Sequence, residues 1–86
     1  MDINELIKIV KKKIQSKISV EKISVEDKSF LHKKHKNNSV NKFHLKISIK
    51  SKFLKKKKKI ESSRQIYKLL EKELKEHIHS VQLNIE

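Results

Sequence analysis

The 86-residue chain contains no cysteine, glycine, proline, tryptophan, alanine or threonine. Several of these absences remove a class of chemistry. Without cysteine there is no disulfide framework, no thiolate metal site, no thiol nucleophile and no CxxC redox motif. Without glycine there is no GxGxxG turn, no P-loop and no GXXG clamp, so the common backbone cradles for phosphate are missing. Aromatic residues are confined to Phe30, Phe43, Phe53 and Tyr67, which argues against a stacking platform for single-stranded nucleic acid. Lysine breaks the longest hydrophobic stretches every few residues, as in Leu6-Ile7-Lys8-Ile9-Val10, and none is long enough to span a bilayer. Asp2 and Glu5 near the start argue against a mitochondrial presequence, which avoids acids, and cytosol is the default expectation.

What is present is mostly isoleucine and lysine: 12 isoleucines, 22 lysines and one arginine, Arg64. This usage, with glycine, proline and alanine absent, is the pattern an A/T-rich codon bias produces. The net charge is +13, and its placement matters more than its size. Between Asp27 and Glu61 there is no acid, whereas 13 lysines fall there, including the run Lys55, Lys56, Lys57, Lys58 and Lys59. The rest of the chain is neutral. A basic side of this kind attracts polyanions; a solvated lysine face is the plainer alternative.

Hydrophobic periodicity divides the chain into five elements. Ile3, Leu6, Ile7, Val10 and Ile14 recur at three- and four-residue steps, predicting an amphipathic helix over 2–17, with Asp2 and Glu5 as a capping box. Ile23 and Val25 between polar neighbours predict a strand over 20–27. The polar stretch 28–40 reads as a loop, in which Asn37 and Asn38 take turn conformations. Phe43, Leu45, Ile47 and Ile49 alternate with Lys42, His44, Lys46, Ser48 and Lys50, predicting a half-buried strand over 42–50. A basic turn over 52–60 follows. Ser62 with Gln65 forms a second capping-box pattern, opening a helix over 62–77 whose stripe is Ile66, Leu69, Leu70 and Leu74 with Tyr67. Val81, Leu83 and Ile85 alternate in a strand over 79–85. The order α-β-β-α-β predicts one domain, a two-layer α/β sandwich with a three-stranded mixed sheet, its first pair antiparallel and the last strand parallel to the second.

These motifs, in this order, resemble the BolA family. Asp27-Lys28-Ser29-Phe30-Leu31-His32 is similar to the family's acidic, Ser, aromatic and His run. His44-Leu45-Lys46-Ile47-Ser48-Ile49 resembles its second strand, Arg64-Gln65-Ile66-Tyr67 with Leu70, Glu73 and Leu74 its long helix, and Ile78-His79-Ser80-Val81-Gln82-Leu83 the opening of its last strand. The resemblance implies a fold related to the type II KH domain without its Gly-rich clamp. It also implies a non-enzymatic partner of monothiol glutaredoxins in iron–sulfur cluster handling or iron regulation, a monomer when isolated, sharing a [2Fe-2S] cluster through histidine. One implied ligand is His32; the other position, immediately before Arg64, holds Ser63 here. A serine hydroxyl is a poor replacement for imidazole at iron. Three outcomes follow: His35, His44 or His79 substitutes, the partner binds without a shared cluster, or the role is lost.

Arg64 and His79, with Ser63, are the expected partner contacts. His77 falls at a helix C-terminus, where its charge suits the dipole. Nothing suggests catalysis: there is no Ser-His-acid constellation and no carboxylate pair set for a cleft. The alternative to the adaptor is a nucleic-acid-binding module using Lys55 to Lys59 and Arg64, dominated by electrostatics and therefore salt-dependent.

Overall fold

A computed structural model describes residues 2–29 and 42–86. Helix α1 (Ile3–Lys17) opens as expected, with the Asp2 carboxylate accepting the Glu5 N–H at 2.9 Å. Its stripe of Leu6, Val10 and Ile14 is fully buried. Strand β1 (Lys22–Asp27) pairs antiparallel with β2 (Phe43–Lys50), and β2 pairs parallel with β3 (Ile78–Ile85), giving the sheet order β1-β2-β3. Val25, Leu45, Ile47, Ile49 and Ile78 join the α1 stripe in one core with Leu54, Ile66 and Leu70. The helices therefore cover one sheet face and, among the described residues, leave the other open, as a two-layer α/β sandwich requires.

The segment 52–60 differs from the expected turn. It holds a one-turn helix, α2 (Lys52–Lys55), and the start of α3 (Lys59–Leu69). Ser51 explains α2: its buried hydroxyl accepts the Leu54 N–H at 3.2 Å and donates to the Ser19 carbonyl at 2.6 Å. Helix α3 begins three residues before Ser62, behind Lys58, which makes no side-chain cap. Ser62 is consequently an interior residue, buried, its hydroxyl donating to the Leu54 carbonyl at 2.7 Å and fastening α3 to α2. Leu70, in the bridge region at φ −101° and ψ 13°, separates α3 from α4 (Glu71–Glu76) where one long helix was expected. Tyr67, expected in the core, is 37% exposed. The core direction of α3 is set by Ser62, Ile66 and Leu70, and Tyr67 lies one residue, or 100°, away from it.

Helices α1 and α4 are joined by an ion pair across 60 residues. Both Glu73 carboxylate oxygens lie 2.6 Å from Lys13 Nζ, and Glu73 is buried. Among the described residues, no helix is long and apolar enough to cross a membrane.

Candidate functional site

The open face of the sheet carries Ser24 and Glu26 from β1, His44, Lys46, Ser48 and Lys50 from β2, and Ser80, Gln82 and Asn84 from β3. Its chemistry concentrates where β2 and β3 begin. The ladder steps from Phe43↔Ile78 to His44↔Ser80, so β3 spends one additional residue, His79, on that step. The bulge takes His79 out of the strand's alternation and sets its ring beside His44, with centroids 4.8 Å apart and planes tilted by 54°. His44 Nδ1 lies 2.6 Å from Ser80 Oγ. His44 is 6% exposed and His79 is open to solvent, so His44 is not the surface histidine that strand alternation suggested.

Short hydrogen bonds brace this corner. The His44 N–H donates to Ser29 Oγ at 3.1 Å, and the Ser29 N–H to an Asp27 carboxylate oxygen at 2.9 Å. The Lys28 N–H donates to the His44 carbonyl at 2.7 Å. His77 closes α4 as expected, its N–H donating to the Glu73 carbonyl at 2.8 Å, and its own carbonyl accepts the Phe43 N–H at 2.9 Å. His44, His77 and His79 thus stand around the first residues of β2 and β3, and the chain leaves and re-enters the segment 30–41 at the same place. His32 and His35 fall in that segment and lie outside the described residues.

Ser63 and Arg64 are elsewhere. They sit in α3, on the helical layer across the sheet from His79. Their neighbour Ser62 lines a cleft of about 130 Å³ together with Leu54, Lys55, Lys57, Lys59 and Ile85. The first turn of α3 therefore stands at the end of β3, which is roughly 20 Å from His79 at the usual strand rise. The structure brings His79 together with His44 and Ser80, and sets Ser63 and Arg64 apart from them. The lysine run flanks the cleft: Lys57 Nζ donates to Gln65 Oε1 at 2.7 Å and lies 4.5 Å over the Phe53 ring.

Imidazole nitrogen is a good iron ligand, and the His79 ring is exposed on the open face, within reach of a partner. His44 shares one nitrogen with Ser80 and has little exposure, which suits a supporting position. Among the described residues no three histidine, cysteine, aspartate or glutamate side chains converge as a metal site. Any cluster at this corner takes further ligands from beyond them. Sequence reasoning did not find the His44–His79 contact. Its only signal was that parallel pairing of β2 with β3 aligns His44 with Ser80 once His79 is allowed to bulge.

The chain is similar in structure to the BolA domain of SufE1 from Arabidopsis thaliana, with a TM-score of 0.82 and 24% identity, covering 99% of this chain and 94% of that one. It is similar to BolA1 from Arabidopsis thaliana (TM-score 0.79, 23% identity, 93% and 88% covered). It is also similar to BolA1 from Mus musculus (TM-score 0.73, 15% identity, 92% and 62% covered). A comparison with curated proteins found no match. The family pattern described as BolA-like protein matches residues 14–86, from the last turn of α1 through β3. The chain belongs to the BolA family.

Proposed function

We propose that this protein is a non-enzymatic adaptor that docks a monothiol glutaredoxin in iron–sulfur cluster handling or iron regulation. The docking corner is the end of the open sheet face where β2 and β3 begin, centred on His79 and His44. The observation that carries the reading is the bulge that turns the exposed His79 ring onto that face beside a second imidazole. Iron there would be held by a ring nitrogen of His79, with Ser80 and Ser29 orienting its neighbour His44. A [2Fe-2S] cluster shared at this corner would draw its remaining ligands from the glutaredoxin and the 30–41 segment. Ser63 lies outside this corner, so a cluster held here would not use the position at which the family resemblance implies its second histidine.

Co-expression with a monothiol glutaredoxin tests this. The expected result is co-elution on gel filtration and visible absorption bands distinct from those of the glutaredoxin homodimer. The bands are expected to be lost in His79→Ala and unchanged in Ser63→His. Separate elution with no new bands would remove the adaptor reading.

A second reading, charge-driven binding of nucleic acid, draws support from the three lysines around one cleft at the start of α3. Such binding neutralises phosphates and weakens steeply with salt.

A further inference from the structure

Strand β3 forms one border of the sheet, with β2 inside it. The phase of its main chain follows from Glu86, whose N–H donates to the Ile49 carbonyl at 2.7 Å and whose carbonyl accepts the Ser51 N–H at 3.1 Å. In a parallel ladder alternate residues turn both backbone groups toward the same neighbour. Ser80, Gln82 and Asn84 therefore face β2, and Val81, Leu83 and Ile85 turn their N–H and carbonyl groups outward. No turn, cap or side-chain hydrogen bond reaches these three among the described residues. Their side chains point to the core face but are only half-buried, an apolar row that an additional strand would finish covering.

Border strands are normally guarded by lysine, proline or charge. The other border, β1, carries Lys22, Glu26 and Asp27. Beyond its bulge at His79, β3 carries no charged residue at all, in a chain with 22 lysines. At the far end of this open edge, Ile85 borders the cleft lined by Lys55, Lys57 and Lys59, with no acidic side chain in its lining.

We infer that the outer edge of β3 is a docking site for an extended peptide segment with acidic residues at the end that reaches Ile85. The segment adds a fourth strand through the main-chain groups of Val81, Leu83 and Ile85, and its carboxylates enter the lysine cleft. Antiparallel addition places those acids at its N-terminal end. A second copy of this chain is a poor occupant, because each copy brings a net charge of +13. A nucleic acid would satisfy the lysines but would leave the strand edge unpaired. The site is independent of the glutaredoxin reading, whose corner is at the opposite end of β3, and either can fail alone.

The test uses the full ¹⁵N-labelled chain and a synthetic peptide of glutamates followed by alternating valine and threonine. A second peptide carries lysines in place of the glutamates. With the acidic peptide at saturation, exchange of the Val81, Leu83 and Ile85 amides is expected to slow about tenfold or more, leaving Gln82 and Asn84 unchanged. The variant carrying Lys55→Gln, Lys57→Gln and Lys59→Gln is expected to bind about tenfold more weakly, and the lysine peptide more weakly still. Leu83→Pro removes the central outward N–H and should abolish binding. If circular dichroism shows that variant unfolded, the triple lysine variant and the exchange pattern still decide. Peptide binding without slowed exchange at the outward amides would overturn the proposal. So would concentration-dependent dimerisation protecting those amides without peptide, or binding of a DNA duplex but not the peptide.

Discussion

Replacing Lys13 by methionine isolates the interaction that joins the two ends of the helical layer. Glu73 holds both carboxylate oxygens 2.6 Å from the lysine ammonium, with its side chain 4% exposed. Removing one partner of a fully buried pair costs about 3–5 kcal/mol, because a desolvated charge is left alone. Lys13 is 38% exposed, so water reaches this pair from one side and the expected loss falls to about 2–3 kcal/mol. Small domains hold only about 0.05–0.15 kcal/mol per residue, and a loss of that size is a large share of the total. Replacing Glu73 by leucine as well removes the orphaned carboxylate, and the double variant should return to within about 1 kcal/mol of the parent. Urea unfolding at fixed salt measures the parent, the single variant and the double variant, with unchanged slopes required for the comparison. A Lys13→Met midpoint indistinguishable from the parent would show that Glu73 is hydrated and that the pair does not clamp α1 to α4.

The remaining predictions concern capping and charge. Ser51→Ala should cost about 1–2 kcal/mol, since it strips the α2 cap and leaves the Ser19 carbonyl without its donor; urea unfolding reads this directly. Raising salt from low to physiological concentration should raise the melting temperature by screening repulsion among the 13 lysines of residues 28–60; a flat thermal profile would contradict it. Titration of a DNA duplex at two salt concentrations should show binding that vanishes near physiological salt, whereas binding that persists would favour a dedicated nucleic-acid surface.

Where local chemistry decides the structure, the sequence was readable. The α1 stripe, its Asp2 cap and the alternation of β2 each depend on residues within a few positions of one another. The start of α3 was not readable, because lysine propagates a helix without announcing its end. The Ser62–Gln65 pattern pointed to a cap that burial overrode: Ser62 turns to the Leu54 carbonyl instead. Three features of the structure depend on contacts far apart in the chain. Lys13 meets Glu73 across 60 residues, His44 meets Ser80 across 36, and the bulge at His79 exists only against β2. The resemblance brought His79 and Ser63 into consideration together, and tertiary placement separates them: His79 stands beside His44, whereas Ser63 lies within α3.

The most direct measurement follows backbone amide shifts of the ¹⁵N-labelled chain as unlabelled monothiol glutaredoxin is added. Docking at the imidazole corner predicts the largest changes at Lys28, Ser29, residues 42–46 and residues 77–81, with α3 almost silent. Changes concentrated at Lys55–Arg64, with His44 and His79 unmoved, would contradict that account.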